Sequence, residues 1–362
     1  SKFTAALSAT TAAGPPGKRA RTVAKQGGQE PANAAPAQVS RLLRGHGMGV
    51  SRVRTWGTLA LSAGLDGLVM VWDASVAAND VSAAQEEGLC DARGAIRSYS
   101  GHGSAAAKDC WFRSDGRSFL SAGYDGTAIL WDTETGASTM RMTPGKGPVN
   151  AVRVKPDDDN VVMLACTDRL LRHYDVRAPP TKAAQVYDYH HSSVASVVFC
   201  DRSRRFTSTG DDRQVLVWEF NVPSPVKIFS DTTQAAVPTL AVHPDLRTVL
   251  GVSLDNRLVT FSVGANKSGK ISRGKDVPVP GFTVGGFPCE PAYSPDGSLV
   301  AVGDGAGAVW VVRARGHGAH APPVAVLRGG HRGPVVSVAW HPCVPGALLS
   351  AGWDGNVAVW SP

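Results

Sequence analysis

The sequence predicts an all-β protein: a seven-bladed β-propeller of four-stranded sheets, preceded by a largely irregular N-terminal extension. Three observations predict it. Near-copies of one motif recur, as in SAGLDGLVMVWDA at 62–74, SAGYDGTAILWDTETG at 121–136, STGDDRQVLVWEF at 208–220 and SAGWDGNVAVWSP at 350–362. The position six residues before the tryptophan of this motif repeats at intervals in the forties to fifties, which suits seven units in 362 residues. The 40 glycines and 24 prolines favour short strands and tight turns over helices.

Residues 1–38 are predicted to be a flexible or partner-ordered extension, because they contain few large apolar residues and no sustained hydrophobic period. The extension carries most of the net charge of +7. The first 44 residues hold seven basic side chains and one acidic one, which leaves 30 basic and 29 acidic residues beyond them. Four basic residues are candidate contacts to RNA or to the nuclear import machinery: Lys18, Arg19, Arg21 and Lys25. The alternative is a solvated linker with incidental charge.

Residues 39–362 are predicted to form the propeller. In the last unit, residues 334–340, 347–352 and 356–360 indicate three strands, and Asp354-Gly355 indicates a two-residue turn with positive φ at both positions. This unit has no outer strand of its own. We therefore expect residues 39–44 to pair with the last blade and close the ring, which removes the exposed sheet edges.

A set of four polar and aromatic residues recurs in four units: a histidine after glycine, a strand serine, the turn aspartate and the strand tryptophan. Buried polar groups of this kind require hydrogen-bond partners, so we expect each set to brace its own blade. An active site would occur once, whereas this pattern occurs four times and decays in the other units, as at Ala306. The four structural tetrads are His46, Ser62, Asp66 and Trp72; His102, Ser121, Asp125 and Trp131; His190, Ser208, Asp212 and Trp218; and His331, Ser350, Asp354 and Trp360.

The composition argues against several classes of function. The six cysteines form no C-x-x-C pair, which is typical of buried reduced thiols in a cytosolic or nuclear protein. The sequence has no phosphate-binding loop, zinc-protease motif or nucleophile elbow, and no apolar run long enough to span a membrane. An enzyme built on a propeller would need a single-copy cluster of polar residues lining the channel, and none is evident. We therefore expect no catalytic residues, no metal, no cofactor, no small-molecule substrate and no membrane contact.

The repeats resemble WD40 propellers, and their order resembles one family in particular. The segments FLSAGYDGTAILWDTETG (119–136), RRFTSTGDDRQVLVWEFNVP (204–223), YSPDGSLVAVGDGAG (293–307) and AGWDGNVAVW (351–360) are similar to the corresponding blades of the pre-mRNA-processing factor 17 family of splicing factors, also known by a cell-division-cycle name. The similarity covers about residues 44–362. Residues 1–37 do not visibly match the long region that precedes the propeller in this family, and the insertion at 75–94 is longer than usual.

This resemblance implies a nuclear, non-enzymatic scaffold of the spliceosome that helps stabilise the remodelled catalytic core around the second step of splicing. It implies contacts to the large central U5 protein and other core scaffold proteins. It also implies proximity to small nuclear RNA, for which the basic extension is the better contact because the body of the chain is nearly neutral. A WD-repeat adaptor of another class remains open, either a ubiquitin-ligase substrate receptor or a chromatin peptide reader.

The residue just before each turn aspartate is predicted to lie on the face where the hairpin tips emerge. Large aromatics and arginine are enriched at interface hot spots, and the turns do not need them at this position. The candidate partner-binding rim is therefore Tyr124, Asp211, Arg213 and Trp353. The alternative is that Tyr124 and Trp353 simply pack against neighbouring blades.

Overall fold

The computed structural model describes residues 35–75, 95–230, 235–264, 271–274, 276–314 and 322–362 of the chain. These residues form seven β-sheets and no helix, which confirms the predicted seven-bladed propeller. No helix that could cross a membrane occurs within these ranges. The basic residues of the extension, Lys18, Arg19, Arg21 and Lys25, lie outside the described residues.

Each blade is an antiparallel sheet whose strands follow one another in chain order, and the first strands of neighbouring blades contact each other around the centre. Blade one consists of β2 (Val50–Trp56), β3 (Leu59–Gly64), β4 (Val69–Asp73) and β5 (Ala95–Tyr99). Blade two consists of β6 (Ala107–Phe112), β7 (Ser118–Gly123), β8 (Ala128–Asp132) and β9 (Ser138–Met142). Blade three consists of β10 (Val149–Lys155), β11 (Asp158–Cys166), β12 (Leu170–Asp175) and β13 (Gln185–Asp188).

Blades four to seven follow the same plan, except that the outer part of blade five is split into two short strands that both pair with β20. They consist of β14 (Val194–Cys200), β15 (Arg205–Gly210), β16 (Gln214–Glu219) and β17 (Pro225–Ser230); β18 (Thr239–Val242), β19 (Thr248–Ser253), β20 (Arg257–Ser262), β21 (Ser272–Arg273) and β22 (Val277–Pro278); β23 (Ala292–Tyr293), β24 (Leu299–Gly303), β25 (Val309–Arg313) and β26 (Ala325–Leu327); β27 (Val335–Trp340), β28 (Leu348–Gly352), β29 (Asn356–Ser361) and β1 (Gln38–Arg44).

The N-terminal strand β1 is the outer strand of blade seven. It pairs antiparallel with β29, with Val39 opposite Trp360 and Arg44 opposite Asn356, and its register shifts between Val39 and Arg41. The strand begins at Gln38, one residue before the span expected from the sequence. The first and last strands of the described chain therefore lie in one sheet.

The hydrophobic core is distributed between the blades. Seven clusters of buried apolar residues occur in the described part of the chain, one at each junction between neighbouring blades. At the junction of blades seven and one, for example, Leu43, Trp72 and Val357 are fully buried together. A blade cannot bury its faces alone, so each sheet depends on both neighbours for its stability.

The turn between the second and third strands differs from the two-residue turn expected at Asp354-Gly355. Gly355 has a φ of 82°, but Asp354 does not have a positive φ, and the Gly355 N–H bonds to the Gly352 carbonyl at 3.3 Å. The expectation of positive φ at both residues is therefore wrong. The connection is a longer turn that ends in one left-handed residue.

That left-handed residue is a glycine in several blades because the next blade approaches it closely. Gly67 has a φ of 79°, and a Cβ atom there would lie only 2.3 Å from the Gly103 carbonyl oxygen of blade two. Both the backbone conformation and the available space thus exclude a side chain at this turn.

The cysteines are mostly buried free thiols, at Cys110, Cys166, Cys200 and Cys289. Cys343 is an exception to the expected burial, because it lies in the hairpin between β27 and β28 and is exposed. Cys90 lies outside the described residues.

Candidate functional site

Each predicted tetrad lies within one blade as a chain of hydrogen bonds. In blade two, Trp131 Nε1 donates to Ser121 Oγ at 2.9 Å, Ser121 Oγ lies 2.7 Å from His102 Nε2, and His102 Nδ1 lies 2.9 Å from Asp125 Oδ1. Indole nitrogen can only donate, so the serine hydroxyl proton is free to point to His102 Nε2. A neutral histidine protonated at Nδ1 then satisfies every member of the chain.

The same chain recurs in blades one, four and seven. The tryptophan-to-serine distances are 2.8, 2.9 and 2.8 Å, the serine-to-histidine distances are 2.7, 2.8 and 2.7 Å, and the histidine-to-aspartate distances are 3.1, 2.9 and 3.1 Å. The polar groups of each tetrad are thus hydrogen-bonded to one another. They hold the histidine loop, which precedes the inner strand of the blade, against the second and third strands.

The ionisation of these groups follows from their bonds. Burial raises the pKa of the Asp125 carboxyl, but hydrogen bonds from Thr127 and His102 outweigh it and leave that pKa below its ordinary value. Burial also lowers the pKa of His102, and the nearby Asp125 only partly offsets this effect. The pair is therefore a carboxylate beside a neutral imidazole at neutral pH.

The blades without a tetrad use other partners for the same position. In blade three, Arg172 forms two hydrogen bonds of 2.9 and 2.6 Å to the Asp168 carboxylate. In blade six, Trp310 Nε1 donates to Asp304 Oδ2 at 2.8 Å, and Asp304 Oδ1 caps the turn at the Ala306 and Ala308 N–H groups. Sequence reasoning missed Asp304 because the aspartate and tryptophan lie two residues upstream of their usual positions.

The candidate rim has an equivalent position in every blade. One residue of each turn donates its backbone N–H to the loop that precedes the inner strand of the same blade, at distances between 2.8 and 3.1 Å. We call these seven residues the turn rim: Leu65, Tyr124, Thr167, Asp211, Leu254, Gly305 and Trp353. Of the predicted rim residues, Tyr124, Asp211 and Trp353 occupy this position, and Arg213 lies two residues after Asp211.

Two aromatics of the turn rim are about half exposed. Tyr124 is 48% exposed, and Lys108 Nζ lies 5.3 Å from the centre of its ring. Trp353 is 45% exposed, although one edge packs against Phe287 of blade six with ring centroids 4.8 Å apart. Packing between blades therefore accounts for only part of the Trp353 surface, and the Tyr124 ring is in contact with the Lys108 side chain.

Met48 extends the apolar surface at Trp353, and sequence reasoning missed it. It is 56% exposed in the loop between β1 and β2. A Cβ on the next residue, Gly49, would lie 3.0 Å from the Trp353 Cα, so Met48 and Trp353 are neighbours at the junction of blades one and seven. The available signal was a large apolar residue inside the glycine-rich segment GHGMG at 45–49.

The central channel contains a buried ionic cluster, so the expectation that no single-copy polar cluster lines it is wrong. Arg54 donates to both Glu290 carboxylate oxygens, at 2.7 and 2.9 Å. Arg153 pairs with Asp109 and reaches Glu290 Oε1 at 3.0 Å, and Arg52 Nε lies 3.5 Å from Glu290 Oε2. These side chains come from blades one, two and three and from the segment before β23, so the cluster bridges the ring.

The cluster holds three positive and two negative side chains. Burial raises the pKa of Glu290, but the charges of Arg54, Arg52 and Arg153 outweigh it and hold that pKa well below its usual range. The guanidinium groups of Arg54 and Arg153 lie 4.9 and 4.5 Å from the ring centre of Trp111. A permanently ionised, fully engaged carboxylate is poorly suited to accept a proton in catalysis.

No group of three or more histidine, cysteine, aspartate or glutamate side chains that could hold a metal ion occurs among the described residues.

Comparison with known proteins finds WD repeats and several relatives that match most of the chain. The model of the WD domain, G-beta repeat, matches residues 37–73, 94–132, 182–219 and 322–361, each containing one tetrad tryptophan. Human pre-mRNA-processing factor 17 is 30% identical over 332 residues, covering 90% of this chain and 52% of the human protein. The Saccharomyces cerevisiae protein of the same name is 27% identical over 332 residues, covering 90% of this chain and 67% of the yeast protein.

A differently named relative is more distant. Mouse WD repeat-containing protein 25 is 26% identical over 341 residues, covering 90% of this chain and 58% of the mouse protein. The chain spans about half the length of the human relative it matches. The propeller and these similarities together show that the chain is a WD-repeat propeller that is similar, over 90% of its length, to proteins named pre-mRNA-processing factor 17.

Proposed function

We propose that this protein is a non-catalytic scaffold of the spliceosome in the nucleus, where it helps stabilise the remodelled catalytic core around the second step of splicing. Its partners on this proposal are the large central U5 protein and other core scaffold proteins. The basic extension, with Lys18, Arg19, Arg21 and Lys25, is the proposed contact to small nuclear RNA.

The single observation that carries the proposal is the match to proteins named pre-mRNA-processing factor 17 across 90% of this chain. The match includes nearly the whole propeller, and the identity of 30% to the human protein exceeds the 26% to WD repeat-containing protein 25 over a similar span. It therefore favours a role in splicing over an adaptor role in another process.

The geometry supports a binding role rather than catalysis. The tetrad histidines and aspartates are bonded to their own blades, and the ionic cluster in the channel is neutralised internally apart from one excess positive charge. A catalytic group has to reach a substrate, whereas these groups are committed to each other.

The turn rim together with the nearby Arg213 is the proposed protein-binding surface, and its contact residues are Tyr124, Asp211, Arg213 and Trp353. Half-exposed aromatics in the turns of blades two and seven and exposed charged side chains in the turn of blade four have the composition of an interface hot spot. The turn uses only the backbone N–H of the residue at the rim position, so its geometry does not require the aromatic side chains of Tyr124 and Trp353.

The experiment replaces both rim aromatics, in the double variant Tyr124→Ala and Trp353→Ala, and measures incorporation into spliceosomes in nuclear extract. We expect an unchanged thermal transition and a several-fold loss of co-purifying spliceosomal proteins. The matched control is Val186→Ala with Val226→Ala, which shortens exposed apolar side chains on outer strands. Incorporation of the rim variant at the level of the control would refute the rim as the binding surface.

A further inference from the structure

The strongest unassigned charged surface lies on the face opposite the turn rim, where hairpins join the first and second strands of blades four and five. We define the arginine patch as Arg202, Arg204 and Arg247. All three side chains are exposed, and none has a hydrogen-bond or ion-pair partner within the described ranges. Arg202 and Arg204 lie in the four-residue turn between β14 and β15, and Arg247 lies in the turn between β18 and β19.

A backbone hydrogen bond brings the two turns together. The Asp201 N–H donates to the Leu246 carbonyl at 2.5 Å, so the turn that carries Arg202 and the turn that carries Arg247 adjoin at the junction of blades four and five. Arg204 is in the same tight turn, closed by its own N–H bonding to the Asp201 carbonyl at 3.2 Å. Three exposed arginines therefore lie on two adjoining turns.

The turn that carries Arg202 and Arg204 has an unusual backbone. Asp201, Arg202 and Ser203 have φ values of 48°, 53° and 64°, so three consecutive residues with side chains adopt the left-handed region. Such residues are disfavoured by contact between Cβ and the backbone, and they persist only where the surroundings enforce them.

Contacts to both neighbouring blades hold this turn in its left-handed conformation. Blade five holds Asp201 through Leu246. On the other side, Ser203 is buried and its hydroxyl hydrogen-bonds Asp157 of blade three. Burial raises the pKa of Asp157, but hydrogen bonds from Lys155 and Ser203 outweigh it and lower that pKa. The turn is thus clamped in a strained form that presents its two arginines outward.

The carboxylates near the patch are mostly engaged elsewhere. Asp201 lies 3.6 Å from Arg205, Asp157 binds Lys155, and Asp245 accepts the backbone N–H groups of Arg247 and Thr248. Glu219, exposed at the end of β16, is a further negative charge. Asp245 keeps its negative charge because its donors are backbone N–H groups, so three arginines against Glu219 and Asp245 leave an excess of one positive charge at this site.

We propose that the arginine patch contacts the phosphate backbone of single-stranded RNA, independently of the protein-binding role of the turn rim. Guanidinium groups match phosphate oxygens with paired hydrogen bonds. A protein interface of comparable charge would be expected to have an apolar centre, and the exposed apolar side chains of Met48, Tyr124 and Trp353 are on the opposite face. Because no described residue of these turns is an exposed aromatic that could stack on a base, the proposed contact is to the phosphate backbone and does not depend on the RNA sequence.

The test measures the salt dependence of RNA binding by the full chain, because each phosphate contact contributes to the slope of log affinity against log salt concentration. The probe is a fluorescent oligouridine of about 20 nucleotides, and anisotropy is followed from about 50 to 200 mM potassium chloride. The variant R202Q/R204Q/R247Q should lower the magnitude of the slope by about 2, since each lost contact to a single strand removes roughly 0.7.

The control variant K146Q/R169Q/R328Q removes the same charge from exposed positions on the rim face and should keep the wild-type slope. In the unmodified chain, photo-crosslinking to oligouridine containing 4-thiouridine should label the segments around Arg202 and Arg247. An equal loss of slope in both triple variants, or an unchanged slope in the patch variant, would overturn the proposal. So would loss of binding to a polyglutamate peptide, but not to RNA, in the patch variant, because the partner would then be an acidic protein.

Discussion

The turn aspartates are structural because each is part of a closed chain of hydrogen bonds. Asp125 accepts from His102 and also caps its own turn through the Thr127 N–H at 3.1 Å. A residue with this many internal partners has little capacity left for a substrate. The four copies of the chain differ by only a few tenths of an ångström, as expected if one geometry recurs around the ring.

Replacing Ser121 by Ala should destabilise the protein by about 1–3 kcal/mol, because Trp131 Nε1 and His102 Nε2 both lose their partner inside the blade. Urea unfolding measures the change. The matched control is Ser138→Ala at an exposed position of β9, which should change the unfolding free energy by less than about 0.5 kcal/mol. Equal effects of the two substitutions would mean that the chain of bonds does not brace the blade.

Stability should fall with acidity in two stages. The folded-state pKa of His102 lies below its ordinary value of 6.5, and those of Asp66, Asp125 and Asp212 lie below 3.8. In both cases the unfolded chain binds more protons than the folded one. The contribution of these groups to the free energy of unfolding is therefore fully present above their ordinary pKa and is lost as the pH falls through their folded-state pKa.

We therefore expect the free energy of unfolding to begin to fall below about pH 6.5 and to fall more steeply below about pH 4. Urea unfolding at a series of pH values measures it, and Asp125→Asn should reduce the steeper stage. Stability that increases between pH 7 and pH 4 would contradict the assigned ionisation states.

At the scale of elements, β1 is the strand on which the ring depends. It supplies the outer strand of blade seven and contributes Leu43 to the core between blades seven and one. Without it, β29 would expose an unpaired edge, and the cluster around Trp72 and Val357 would lose one of its buried side chains.

Deleting residues 1–45 should lower the thermal transition by several degrees or cause aggregation, because the last blade loses its outer strand. Calorimetry on the truncated chain measures the effect. Deleting residues 1–34 is the matched control, since it removes none of the described strands. A folded monomer with an unchanged transition after removal of residues 1–45 would show that β1 does not close the ring.

The strands and tetrads could be predicted from the sequence because their signals are local. The tetrad tryptophan always lies six residues after the turn aspartate, and strand alternation extends over five to seven residues. Blade six was harder, since Asp304 and Trp310 form the equivalent bond from shifted positions. The turn at Asp354-Gly355 was assigned the wrong type because the dipeptide alone does not fix the length of the turn.

At the scale of the whole molecule, the channel cluster could not be predicted from local patterns. Arg54 and Glu290 are 236 residues apart, and only closure of the ring brings them together. A weak signal was present, because charged residues interrupt the apolar inner strands at Arg52, Asp109 and Arg153. The partners of such residues depend on which blades face each other, and that is a property of the assembled ring.

Replacing Glu290 by Gln should destabilise the protein by about 3–5 kcal/mol, because Arg54 and Arg153 are left buried with less compensating charge. Urea unfolding measures the change. Glu134→Gln is a control of the same chemistry at an exposed position, where little change is expected. If the two variants were equally stable, the cluster would not hold the inner strands together.

The proposed role in splicing belongs to the molecule as a whole, since it combines the family match with a binding surface formed by several blades. The most direct test is purification of the tagged protein from nuclear extract, with identification of the RNAs and proteins that accompany it. We predict recovery of U2, U5 and U6 RNAs together with the large central U5 protein. Recovery of a cullin-type ubiquitin ligase or a chromatin complex, without these RNAs, would contradict the assignment to the spliceosome.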